Sequence, residues 1–195
     1  NSDAFKQLAQ LKEDIKASKD IAQGPVVGSN GRFGFVKLDD GRDAYVSPDN
    51  MQRLIPGDVV SINVLTVKEG KYEAELEKLI TPALSRFVGQ YRIKGKTHFI
   101  QPEGAQASRW IFVPPKSRIK AKEGEYVVGK LLTHPFKDGK SSAKVLDRIG
   151  LESDTKFQLK YVKAKYFLNR PDAKGTEEEV EALEKRFIHE QFGER

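Results

Sequence analysis

The chain has 195 residues, 32% of them charged and 38% hydrophobic, with a formal net charge of +6. This length accommodates one or two domains of ~100–200 residues, with apolar side chains enough for small cores but few for one large one. No apolar run approaches the ~18 residues of a spanning helix, and the absence of Cys excludes disulfides, thiol catalysis and Cys-based zinc sites.

From the N-terminus, Asn1-Ser2-Asp3-Ala4-Phe5 has neither a basic start nor an apolar stretch, so no secretory signal is expected. The missing Met suggests a trimmed or cloned segment, and a cytoplasmic location is expected. Residues 3–19 are predicted helical, because Phe5, Leu8, Leu11, Lys12 and Ile15 recur at three- and four-residue steps. Gly24-Pro25 interrupts that pattern. Short β runs follow, Val26-Val27, Phe33–Val36, Ala44–Val46, Val59–Val64 and Tyr72–Leu76, with Asn30-Gly31 and Asp40-Gly41 as hairpin turns. Five short strands in about fifty residues predict a small closed barrel.

The pattern then recurs. Val46, Pro48 and Gly57 have counterparts in Val113, Pro115 and Gly124, each 67 residues later. Five more strands are predicted around Val88–Ile93, Thr97–Ile100, Trp110–Val113, Tyr126–Leu132 and Ser142–Leu146. The expected architecture is mainly β: two tandem five-stranded closed barrels, residues 24–82 and 83–149. An N-terminal helix (1–23) and a C-terminal helical segment (150–195) flank them. In that last segment Asp154 can cap one helix that Pro171 stops. Thr176 and Glu179 form a capping-box pattern for another, striped by Val180, Leu183, Phe187 and Gln191.

Charge is uneven along the chain: residues 1–85 carry a net −2, residues 86–150 +9 and residues 151–195 −1. A basic middle third suits a polyanionic partner, although solubilising lysines on a β domain give the same count. Phe33 and Phe35 share one strand face, Arg32 and Lys37 flank them, and Tyr45 on the next strand can join them. Gly34 between the rings is expected to leave that face uncrowded. Rings beside cations form a platform on which unpaired bases stack; the competing reading puts both Phe side chains in the core. Further candidates for contact with single-stranded RNA are Arg92, Lys94, Lys96, Arg109, Lys116 and Arg118. Trp110 and Phe112 also share a face, which either fills the second barrel, leaving Arg109 and Ile111 outside, or faces out for stacking. The run Lys116, Arg118, Lys120 and Lys122 shares one face in a strand and spreads around a helix.

Catalytic signals are sparse. The densest acidic sets, Asp39-Asp40 with Asp43 and Glu177–Glu179, suit a hairpin turn and a helix's first turn. His98, His134 and His189 lack ligand spacing. No catalytic or metal-binding residue is assigned.

Gly31–Val36 resembles the first ribonucleoprotein motif of cold-shock domains, Asp43–Val46 the second, and Gly57–Val60 the strand that follows. Ser47 and Pro48 depart from the His and Phe usual there. Over nearly the whole chain, and more loosely beyond about residue 151, the sequence resembles the ribonuclease II family. The resemblance runs through Gln7–Lys12, Gly31–Val36, Met51 with Gly57-Asp58, Ser85–Gly89 and His134–Lys137. It implies that both barrels are OB-folds of cold-shock type, at the front end of a processive 3′→5′ exoribonuclease that hydrolyses single-stranded RNA to nucleoside 5′-monophosphates. Magnesium would belong to a catalytic domain beyond residue 195. The absence of the extra N-terminal helical domain of ribonuclease R favours ribonuclease II. The expected partners are single-stranded RNA and the chain's own catalytic domain, with no membrane and a monomeric state. The alternatives are a free-standing RNA-binding regulator and a protein-interaction module.

Overall fold

The computed structural model describes residues 2–29, 32–170, 175 and 177–192. The expected Asn30-Gly31 turn, the stop at Pro171 and the cap at Thr176 lie outside these residues, as do the side chains of Phe187 and Gln191. The chain forms two compact units, Asn1–Ala83 with Pro135–Gly139, and Leu84–His134 with Lys140–Arg195.

The first unit opens with helix α1 (Ser2–Ala17). Strands β1 (Ile21–Ser29), β2 (Phe33–Lys37), β3 (Asp43–Val46), β4 (Val59–Lys68) and β5 (Lys71–Thr81) follow, with the short helix α2 (Pro48–Met51) between β3 and β4. They close into a barrel in the order β1-β2-β3-β5-β4, with β3 and β5 parallel. Strand structure begins at Ile21, so Gly24-Pro25 lies within β1. There a Cβ at Gly24 would sit 1.9 Å from the Lys37 carbonyl oxygen, which leaves room for glycine alone. Alternation sends Val26, Val36, Ala44, Val46, Val60 and Ile62 inward to a closed aliphatic core. Ser47 caps α2 by accepting from the Asn50 N–H at 3.3 Å, and Pro48 occupies its first turn. Met51 then drops into the core. Residues 135–139 belong to this unit, where Phe136 stacks against Arg53 and accepts a 2.7 Å hydrogen bond from its Nε.

The second unit contains β6 (Arg86–Lys94), β7 (Thr97–Pro102), β8 (Ile111–Phe112), β9 (Tyr126–Thr133), β10 (Ser142–Gly150), α3 (Phe157–Asn169) and α4 (Glu177–Phe192). Its strands pair in the order β10-β8-β7-β6-β9, and β9 pairs in turn with β10. The β8–β10 link is one parallel pair, Phe112 with Ser142. Phe157 anchors α3 against Val88 and Ile149 and packs on Tyr126 and Tyr161. Glu103 accepts from the Tyr161 hydroxyl at 2.7 Å and from Lys165 at 2.8 Å. Burial and that carboxylate push the Tyr161 hydroxyl up to about 12. In α4, Leu183 is buried and Val180 half-buried.

The 67-residue repeat corresponds to one joint built twice. Val26 N–H donates to the Asp58 carbonyl and Gly57 N–H returns a bond to the Val26 carbonyl, both at 2.8 Å. In the second unit Tyr91 N–H donates to the Glu125 carbonyl at 2.7 Å, and Gly124 N–H donates to the Tyr91 carbonyl at 2.8 Å. Gly57 (φ 97°) and Gly124 (φ 83°) supply the left-handed backbone that this reversal needs. The two acids differ in length and use it. The buried Asp58 carboxylate accepts from Ile55 N–H and Ala83 N–H, each at 2.7 Å. Glu125 instead reaches Arg148 through two bonds of 2.6 and 2.7 Å.

At the second core, the fully buried Tyr91 places its hydroxyl 2.7 Å from His98 Nδ1. Burial raises the Tyr91 pKa, while burial and nearby Arg118 lower that of His98. Both shifts favour the neutral forms, and the tautomer of the ring sets which of the two groups donates.

Two outcomes follow for stability. Asp58→Ala strands one buried and one half-buried N–H donor, and should lower the unfolding free energy by about 3 kcal/mol in urea titrations. The His98 ring should titrate by NMR below the usual ~6.5. Because the unfolded ring takes up its proton at higher pH, stability present above ~6.5 is lost as pH falls through that depressed midpoint. This component should vanish in His98→Gln.

Candidate nucleic-acid interface

An inward aliphatic set on a closed barrel forces the alternate residues outward. Phe33, Phe35 and Tyr45 are therefore half-buried on the outer face, while Gly34, Val36, Ala44 and Val46 are buried. Phe35 lies opposite Val27 on one side and Tyr45 on the other. The three ring centroids are 5.8–6.0 Å apart, two of the three pairs edge-to-face. The competing core assignment is thus overturned for both Phe side chains. Gly34 also acts differently from expectation: it faces inward, where a Cβ would stand 2.7 Å from Met51 Sδ and 2.6 Å from the Val27 carbonyl oxygen. Its role is room for Met51, not clearance between rings. Arg32 is exposed beside this patch. Lys37 is paired across the strands with Asp43 at 2.7 Å.

The second unit presents a comparable face. Register aligns Arg92 with Phe99, Phe99 with Phe112, and Phe112 with Ser142, a row running over β6, β7, β8 and β10. Trp110 packs on Phe99 at 5.9 Å. Ile111 is 1% exposed whereas Trp110 and Phe112 are 42% and 38% exposed, so the rings face out and the aliphatic residue fills the interior. That removes the reading in which Arg109 and Ile111 face solvent; Arg109 is half-buried. Phe99, Trp110 and Phe112 belong with the candidate residues, and the Trp-Ile-Phe alternation was the available signal for them.

The predicted cations divide into held and exposed. Arg92 donates to Gln90 at 2.6 Å and Gln101 at 3.1 Å and pairs with Glu123 at 3.5 Å, which fixes its guanidinium beside Phe99. Arg118 is half-buried and donates through Nε to the Val113 carbonyl at 3.1 Å, and its charge helps to lower the His98 pKa. Lys94 and Lys96 are exposed around the β6–β7 turn, and Lys116 is exposed in a 3-10 turn, Pro115–Ser117. The basic run 116–122 is neither strand nor α-helix. It continues through Ile119 and Lys120, both with positive φ.

Among the described residues no three His, Asp or Glu side chains converge as a metal site. Asp40 accepts instead from the Arg42 backbone N–H and side chain. No described helix is long and apolar enough to cross a membrane.

Comparison with known proteins agrees with this geometry. The Ribonuclease B OB domain family model matches residues 24–79, and the Cold shock domain model matches residues 99–171. Ribonuclease R of Aquifex aeolicus (strain VF5) is 28% identical over 91% of this chain and 25% of its own length. Exoribonuclease 2 of Buchnera aphidicola subsp. Schizaphis graminum is 34% identical over 65% of this chain and 20% of its own. The chain thus spans about a quarter or less of these curated relatives. Among solved structures, Mycoplasma genitalium RNase R in complex with ribose methylated single-stranded RNA gives a TM-score of 0.57. That match is at 18% identity and covers 73% of this chain and 23% of that one. Yeast Ssd1, a pseudonuclease, also gives 0.57 at 14% identity, over 79% and 25%. Matches to both domain models, in this order and with relatives bearing both names, place the chain in the exoribonuclease 2 and ribonuclease R family, represented by its OB and cold-shock segments.

Proposed function

We propose that the chain binds single-stranded RNA on the outer aromatic faces of two cold-shock-type barrels, residues 24–82 and 83–149. Within a longer protein it anchors RNA for a 3′→5′ exoribonuclease that releases nucleoside 5′-monophosphates. Magnesium and the hydrolytic step belong to a catalytic domain joined through residues 150–195. The protein is proposed to be cytoplasmic and monomeric, in keeping with its Cys-free composition.

The observation that carries this reading is the pair of outward ring clusters, Phe33/Phe35/Tyr45 and Phe99/Trp110/Phe112, each beside cations. Neither is needed to fill a core, and an exposed π-face beside a positive charge offers stacking and phosphate contact together. Such contacts carry little base information, so recognition is largely independent of sequence. Arg92, already ordered by Gln90 and Gln101, meets RNA with little further loss of side-chain freedom. A protein-interaction role has one feature in its favour: α1 exposes Phe5, Leu8, Leu11 and Ile15 along one stripe.

Binding of a labelled ~15-nucleotide RNA across a salt series tests the proposal. Phe33→Ala/Phe35→Ala and Trp110→Ala/Phe112→Ala should each weaken binding by roughly tenfold or more, at ~1–3 kcal/mol for each base no longer stacked, with melting little changed. Lys94→Ala/Lys96→Ala should instead flatten the salt dependence, its slope falling by ~0.7 for each phosphate no longer neutralised. Affinity indifferent to both ring pairs, or one hairpin bound far more tightly than oligo-A, would overturn the mechanism. Affinity no better than that of an arbitrary basic protein would favour the protein-interaction role.

A further inference from the structure

The second unit has a concave site away from its aromatic row. The rings stand over β7 and β8, whereas α3 packs against β6, β9 and β10. There helix and sheet line an open-sided cavity of about 1050 Å³, at the upper end of the ~300–1,000 Å³ typical of small-molecule sites. Its lining combines two chemistries. Val128, Ile149, Phe167 and Leu168 contribute an apolar wall with one aromatic ring, and Arg86, Lys160, Lys163, Arg148 and Arg170 contribute cations.

The cations differ in what already neutralises them. Arg148 is committed to the buried Glu125, and Lys163 stands 3.8 Å from Glu184. Arg170 lies over the Tyr166 ring and donates to its hydroxyl. Arg86 and Lys160 have no counter-ion among the described residues. Asp147 is the one acid in the lining, and it accepts from the Arg148 backbone N–H. A cavity of net positive charge with an apolar, ring-bearing wall matches a ligand with a flat aromatic part and an anionic part.

We propose that this cavity binds a nucleoside 5′-phosphate, its base against the Phe167 wall and its phosphate toward Arg86 and Lys160. The ligand is either a free nucleotide or the phosphorylated terminal unit of a strand. The site does not depend on whether the aromatic faces bind RNA.

The test uses the full chain with AMP, inorganic phosphate and a 5′-phosphorylated oligo-A, followed by titration calorimetry and amide NMR. AMP should bind saturably, at least tenfold more tightly than phosphate, and shift signals in residues 160–168 and β9. Arg86→Glu/Lys160→Glu should weaken it at least tenfold at unchanged melting temperature, since neither side chain gives up a counter-ion. Phe33→Ala/Phe35→Ala should leave AMP binding intact while weakening the oligonucleotide on the outer face. Displacement of AMP by the 5′-phosphorylated strand assigns the site to strand ends, and its absence assigns it to free nucleotide. Either result supports the site. AMP bound no better than phosphate, shifts confined to the ring faces, or equal binding by the charge-reversed variant overturns it.

Discussion

A ring of strands has an inside, and the inside of a five-stranded ring is small. Side chains alternate along each strand, so every second residue must fit a small interior while its neighbours are turned away from the core. Phe33 and Phe35 flank a buried glycine, and Trp110 and Phe112 flank a buried isoleucine. The outward rings are thus a consequence of closure. The same closure stiffens the surface that carries them, because Phe35, Tyr45, Phe99 and Phe112 each have paired strand neighbours on both sides.

The joint formed by Val26 with Gly57-Asp58, and by Tyr91 with Gly124-Glu125, shows how one backbone solution tolerates different side chains. The reversal requires glycine and a following residue whose carbonyl accepts from the first strand. What the acid then does depends on its reach. One methylene fewer confines Asp58 to nearby N–H groups, and one more lets Glu125 neutralise an arginine on a neighbouring strand. The helical turn after β3 is similarly explained by local chemistry. Ser47 accepts from an orphan N–H and Pro48 needs to donate none, so residues that depart from the usual cold-shock pattern serve to start α2.

Strands, the Asp40-Gly41 turn and the 67-residue offset were legible because they rest on local period and on residues with special backbone preferences. The mainly β class and the terminal helices followed from the same signals. Which face the rings occupy was not legible, since a strand of alternating aromatic and small residues has two self-consistent orientations until its neighbours are known. Gly34 illustrates this: its inward role depends on Met51, which arrives from α2. Arg92 and Arg118 read as free cations because their partners, Glu123 and the Val113 carbonyl, are brought near only by the fold. The early start of β1 was obscured by Gly24-Pro25, a pair that ordinarily marks a break. Ile119 and Lys120 carry no local warning of positive φ, which is uncommon for any side chain and more so for a β-branched one.

Closure also has a kinetic side. The first ring is completed when Ile21 meets Asn63 and Ala44 meets Tyr72, and the second when Ser142 reaches Phe112. Each of these pairings requires a long intervening segment to be drawn in before any stabilisation is gained. Rings of this kind belong to the slow end of small-domain folding, roughly milliseconds to seconds. The single pair joining β8 to β10 makes the second ring the one with least reward for its last step. An incompletely closed ring would leave an unpaired strand edge available to another chain. The time spent open, rather than the final stability, then governs how readily the protein aggregates during its own folding.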